Sequence, residues 1–137
     1  IDGSLLTHED SAETTELFEW RFDNPESEVS TIGTYYAMGH AGISKVSSKS
    51  AYITATTNCH PNCDTVEAEV NLQRLEGNTW AYVTSRSKTG SNVGSVKVSD
   101  TVRVKSGYYY RVVSFHSATK NGKTEVGSAT SESLYIG

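Results

Sequence analysis

With 137 residues and a formal net charge of −4, the chain fits one domain of ordinary size, long enough to bury a single core without staples or a structural metal. Serine and threonine fill 19 and 16 positions, charged residues make up only 20%, and there are two prolines and one methionine. A helical surface would be rich in Glu, Lys and Ala instead, so this mix indicates an all-β chain, and no apolar run approaches the ~20 residues that cross a bilayer as a helix.

The charge is unevenly placed. Residues 1–28 hold nine acidic side chains against Arg21 alone, a balance of −8, and the rest of the chain holds eleven basic and seven acidic groups, a balance of +4. The expected division is an acidic N-terminal extension over 1–28 and a folded domain over 29–137. Within the extension, Leu17-Phe18-Glu19-Trp20-Arg21-Phe22 alternates apolar and charged residues, so Phe18, Trp20 and Phe22 can line one face of a strand. A free tail would not carry three aromatics, and this segment is expected to dock on the body. A start at Ile1 without an initiator Met, together with a cysteine pair in a turn-rich loop, leads to the expectation of a secreted, extracellular protein.

Beyond Asn24-Pro25 the chain reads as strands separated by turn signals, over 34–38, 43–47, 51–57, 65–75, 80–87, 95–105, 108–118 and 126–136, with no helix-period segment between them. That rhythm belongs to a sandwich or a barrel. Cys59 and Cys63 lie in Asn58-Cys59-His60-Pro61-Asn62-Cys63-Asp64, where a local disulfide pinning the loop is expected; a zinc site would need a fourth ligand that no second Cys or His pair supplies. Further on, Val66, Ala68, Val70 and Leu72 alternate with Glu67, Glu69, Asn71 and Gln73, which gives that strand an inner and an outer face. Glu76-Gly77-Asn78 turns the chain into Trp80. Val96, Val98, Val102 and Val104 share one parity across Ser99-Asp100-Thr101, as one long strand with a polar interruption or as two strands paired by a turn. Lys120-Asn121-Gly122-Lys123 closes the strand before it with the positive φ angles of a tight hairpin.

From Ile43 to Ile136 the order of elements resembles a fibronectin type III or related immunoglobulin-like sandwich. Leu72-Gln73-Arg74-Leu75-Glu76-Gly77-Asn78-Thr79-Trp80 is similar to the hairpin between the third and fourth strands of such domains. Gly107-Tyr108-Tyr109-Tyr110-Arg111-Val112-Val113-Ser114 is similar to their sixth strand, where a corner tyrosine precedes alternating core residues. The resemblance implies an immunoglobulin-like antiparallel β-sandwich carrying an N-terminal extension. It also implies that Tyr108, Tyr110, Val112 and Ser114 point inward and that Tyr109, Arg111, Val113 and Phe115 point outward. The combination of Leu-Gln-Arg-Leu, Trp80, Gly-Tyr-Tyr-Tyr-Arg-Val, His116 and Glu125 also resembles an uncharacterised family of small secreted proteins of Gram-positive bacteria.

No nucleophile elbow, phosphate loop, calcium loop or dinucleotide fingerprint is present. The four histidines, at 8, 40, 60 and 116, form no metal-binding pair, and His116 is expected to be a satisfied structural residue. Glu67 and Glu69 share a strand face but read as solvated residues rather than a glycosidase pair. We therefore expect no catalytic residues, no metal and no cofactor, and no nucleic-acid binding, which the acidic extension would oppose. The candidate binding surface is an outward aromatic patch of Trp80, Tyr82, Tyr109, Arg111 and Phe115, fit to stack on a glycan, a cell-envelope polymer or a protein partner. Two further readings use the extension: a strand donated between copies, giving a homodimer, and a small secreted toxin or bacteriocin-like effector whose aromatic surface the extension shields.

Overall fold

The structure, a computed structural model, describes residues 34–137. The expected extension over 1–28 and the docking of its aromatics lie outside the described residues. Six strands are present: β1 (Tyr36–Ser47), β2 (Ser50–Glu76), β3 (Thr79–Arg103), β4 (Tyr108–Lys120), β5 (Lys123–Thr130) and β6 (Leu134–Ile136). All pair antiparallel within one sheet, in the order β1-β2-β4-β5 with β3 on β2 and β6 on β4. The sheet curls as a half-barrel whose concave side holds the core.

The turns follow from local chemistry. Gly77 at φ 64° carries β2 into β3, and Asn121 and Gly122 at φ 53° and 80° carry β4 into β5, both central positions of that second hairpin taking the left-handed conformation that its tight turn requires. The strands are longer than the sequence suggests because irregular stretches do not end them. The segments expected at 34–38 and 43–47 join as β1, those at 51–57 and 65–75 as β2, and those at 80–87 and 95–105 as β3. Of the two arrangements left open around Asp100, the single long strand is the one adopted, with Val96, Val98, Val102 and Val104 all facing the core. The last expected strand divides instead, because Ser131, Glu132 and Ser133 leave the ladder between β5 and β6.

The long β2–β3 ribbon is bent. Arg86 and Asp100 form an ion pair at 2.8 Å, whereas fourteen residues of straight strand would separate them by about 45 Å. The bend falls where the β2–β3 register breaks between Asn58 and Cys63 and where Asn92 takes φ 56°. Gly90 is needed there, since a Cβ at that position would meet Val93 and Val96 side-chain carbons at 2.9 Å. Folding the ribbon brings its valines over the inner faces of β2 and β4, where Ile53, Val66, Val70, Leu72, Tyr110 and Val112 are fully buried. Among the described residues β3 pairs only with β2, and its inward Arg86–Asp100 pair is a common means of protecting an exposed edge.

Alternation along β4 sets what each face carries. Tyr110, Val112, Ser114 and His116 are buried; Tyr109, Arg111 and Val113 are half-buried on the opposite face, and Phe115 is exposed there. The Tyr110 hydroxyl donates to the Lys105 carbonyl at 2.6 Å and accepts the Lys105 N–H at 3.1 Å, tying the start of β4 to the end of the preceding segment.

Candidate functional site

On the convex face, register aligns the side chains across three strands. Gln73 of β2 stands opposite Tyr82 of β3 and Arg111 of β4, and Leu75 stands opposite Trp80. A register shift between Leu72 and Gln73 sets Trp80 and Tyr82 on this outer face. The Arg111 guanidinium lies 4.4 Å from the Trp80 ring centroid, and its Nε donates to Gln73 Oε1 at 2.7 Å. These two contacts hold the guanidinium plane in one orientation, through ring quadrupole attraction and a directed hydrogen bond. Tyr109 packs against Tyr135 of β6 with ring centroids 5.1 Å apart.

Exposure is high for the rings that border this cluster: Tyr82 is 65% exposed and Tyr135 40%. Between and around them lie uncharged polar groups, including Asn71, Ser85 and Thr130, aligned with Val113 by the same ladder. The structure thus assembles Trp80, Tyr82, Tyr109 and Arg111 into one surface. Phe115, 50% exposed, is on the same face but four residues along β4 from Arg111, about 13 Å of strand, beside Glu69 and Ser128. Sequence reasoning did not single out Gln73 and Tyr135. Gln73 was legible as the last outward residue of the 67–73 alternation, whereas Tyr135 becomes its neighbour only through the β4–β6 pairing.

Arg111 has no carboxylate within ion-pair distance among the described residues. Burial alone holds its pKa below the ordinary value. The guanidinium is therefore partly desolvated, oriented, and uncompensated in charge. Nearby Arg74 differs, since it pairs with Glu76 at 2.7 Å while lying over the Tyr108 ring.

The concave side holds a second, buried polar cluster. His116 bonds Thr57 Oγ1 through Nδ1 at 2.7 Å and Ser114 Oγ through Nε2 at 2.6 Å. Thr57 spends its proton on the Glu67 carbonyl at 2.8 Å, so it must accept from the histidine. This assigns the proton of the neutral ring to Nδ1 and makes Ser114 the donor to Nε2. Burial, with His40 nearby, pushes the His116 pKa down to about 4. The Tyr36 ring stacks on His116 at 6.2 Å and also covers Gly127, where a Cβ would meet its carbons at 2.6 Å. A Cβ at Gly39 would collide with the His116 ring. Glu125, fully buried, accepts the Tyr36 and Tyr35 backbone N–H groups through Oε1 at 2.7 and 3.2 Å, while its Oε2 has no hydrogen-bond partner among the described residues. The histidine cluster ties β4 to β2, and the Glu125 bonds to Tyr35 and Tyr36 dock the start of β1 on β5.

The expected Cys59–Cys63 disulfide is corrected: both thiols are free and the two residues are not at disulfide distance. Cys63 turns into the core beside the Pro61 carbonyl, and Cys59 is half-buried. The residues belong to the bent part of β2 rather than to a separate loop, so its backbone, not a bridge, sets their positions. Burial and hydrogen bonding to Cys63 push the Cys59 thiol up to about 12.

A family model matches residues 8–134, nearly the whole chain. The chain belongs to the DUF6147 family. That family is described as one of unknown function. No curated protein and no solved structure matches the chain, so for this DUF6147 member the arrangement of side chains on the two faces of the sheet is what bears on activity. Among the described residues no group of three or more His, Cys, Asp or Glu side chains is placed to hold a metal ion, and no helix is long and apolar enough to cross a membrane.

Proposed function

We propose that this protein is a non-catalytic binding domain that works outside the cell and recognises a sugar polymer of the cell envelope through the convex face around Trp80. The observation that carries the reading is the Arg111 guanidinium held over Trp80 at 4.4 Å and bonded to Gln73, beside a Tyr82 ring left 65% exposed. Aromatic rings offer flat apolar area to the C–H faces of pyranose rings, while amide and guanidinium donors in fixed positions read the hydroxyls. A protein interface would favour a larger apolar centre, whereas here Asn71, Gln73, Ser85 and Thr130 interleave with the rings. The buried Ser114–His116–Thr57 chain favours a structural over a catalytic reading, because the hydroxyls and the ring saturate one another beneath β1.

Kinship with fibronectin type III and immunoglobulin-like domains belongs to this proposal. Support comes from the turn of Tyr110 back onto Lys105, a contact of the kind a corner tyrosine makes in such folds.

Co-sedimentation of the full chain with purified bacterial cell walls tests the reading. Retention that Trp80→Ala or Tyr82→Ala reduces at least tenfold supports it. A chain that stays in the supernatant with walls, but dimerises, binds a protein partner or kills cells, refutes it in favour of an interaction or effector role.

A further inference from the structure

Resting on the proposed sugar-polymer reading, we propose that the ligand is anionic, and that Arg111 takes one of its oxyanions, a carboxylate or a phosphodiester carried on the sugar chain.

A partly buried guanidinium ordinarily faces a carboxylate, since removing a charge from water is costly unless something of opposite sign repays it. Each of the other two arginines whose contacts are described above has that compensation: Arg74 with Glu76 at 2.7 Å and Arg86 with Asp100 at 2.8 Å. Arg111 does not, although Trp80 beneath it and Gln73 at its Nε hold it in place. The Gln73 bond uses only Nε. The two terminal nitrogens make no hydrogen bond among the described residues, and together they form the fork that grips a carboxylate or phosphate in bidentate fashion.

The surroundings agree with an anion rather than a neutral or cationic group. Glu76 is occupied by Arg74, and Glu69 stands opposite Phe115, four residues along β4 from Arg111. The body over 29–137 carries eleven basic against seven acidic side chains, while the whole chain carries −4, so the selection of an anion rests on the local geometry at Arg111 and not on the wider field. The tyrosines and Trp80 then supply the stacking that a free anion would not need, which is why the site suits an acidic sugar polymer better than inorganic phosphate.

The test compares three soluble polymers with the full chain: polygalacturonate for the carboxylate, poly(glycerol phosphate) bearing sugar for the phosphodiester, and neutral galactan. Affinity electrophoresis of wild type, Arg111→Gln and Arg111→Lys gives the relative dissociation constants, with thermal melts confirming that each variant is folded. The wild type is expected to bind one anionic polymer at least tenfold more tightly than galactan. Arg111→Gln is expected to close that gap, and Arg111→Lys, which keeps the charge but not the planar fork, to recover less than half of it on a logarithmic scale. Which anionic polymer wins identifies the oxyanion. Equal binding of all three by the wild type, or a preference that survives Arg111→Gln, overturns the anionic inference and leaves the binding face intact. Failure of every polymer to bind overturns the sugar-polymer reading itself.

Discussion

The Glu125 carboxyl accepts the Tyr36 backbone N–H at 2.7 Å across 89 positions of sequence. Together with the Tyr35 N–H bond and the Tyr36 ring over Gly127, this contact joins the first and fifth strands on the concave side, in addition to the ladder that pairs β1 with β2. Truncation to Ala would strand two backbone N–H groups, those of Tyr35 and Tyr36, in the interior. We expect Glu125→Ala to lower unfolding free energy by about 3 kcal/mol, since each orphaned buried donor costs on the order of 1–3 kcal/mol. Glu125→Gln keeps an acceptor oxygen and should lose less than half as much. Urea denaturation of the two variants checks the order; equal losses would mean that the acceptor is not what matters.

Stability should depend on pH through His116. Its pKa falls from an ordinary 6.5 to about 4 in the fold, so the unfolded chain binds the proton more readily. The contribution is complete above pH 6.5, is lost as pH falls from about 6.5 to about 4, and changes no further below that. At roughly 1.4 kcal/mol per pKa unit, the full loss is about 3 kcal/mol. His116→Gln should flatten this part of the stability profile; an unchanged slope would show that His116 does not produce it.

Two glycines should respond very differently to alanine. At Gly127 the added carbon meets the Tyr36 ring at 2.6 Å inside the core, whereas at Gly122 it meets nothing within 4 Å and strains only a φ of 80°. Overpacking costs typically ~1–3 kcal/mol and a left-handed non-glycine residue ~1–2 kcal/mol, so Gly127→Ala is expected to fall at the upper end or fail to fold, and Gly122→Ala to lose about 1 kcal/mol. Thermal melts that rank them in the reverse order would contradict the packing described for Tyr36.

The cysteines should be inert while the chain is folded. Burial and hydrogen bonding to Cys63 push the Cys59 thiol up to about 12, which leaves little of the reactive thiolate at pH 8, and Cys63 is buried out of reach of a reagent. A chromogenic disulfide reagent should label neither cysteine on the timescale that labels both in guanidinium chloride. Rapid labelling of native protein would mean that this part of β2 opens easily.

The sequence carried the local rules well. Alternation between 66 and 73 and along β4, and the glycines at 77 and 122, act within a few residues, and the strands and turns form where those rules put them. The continuity of β2 and β3 was not legible, because register shifts and a left-handed Asn92 carry both strands through stretches that look like loops. The same blind spot made Cys59 and Cys63 look like a loop staple. Lys123-Thr124-Glu125 has the composition of a solvated hairpin arm, and what buries Glu125 is a strand 89 positions away. A faint signal did exist in Gly127 and Ala129, small residues of the same parity that leave room for something to pack on them. On the outer face, the fibronectin-like resemblance implied the outward placement of Arg111 and Tyr109, but the charge left unpaired at Arg111 could be recognised only once its neighbours across β2 were known.

The most direct measurement of the binding face is fluorescence of Trp80. The chain has two tryptophans, so Trp20→Phe leaves Trp80 as the sole reporter. Titration of that protein with solubilised cell-wall polymer should shift and quench its emission in a saturable way, with the same midpoint as retention in co-sedimentation, and Arg111→Gln should move both midpoints together. Retention of the polymer with Trp80 emission unchanged would put binding elsewhere on the molecule and contradict the assignment of this face.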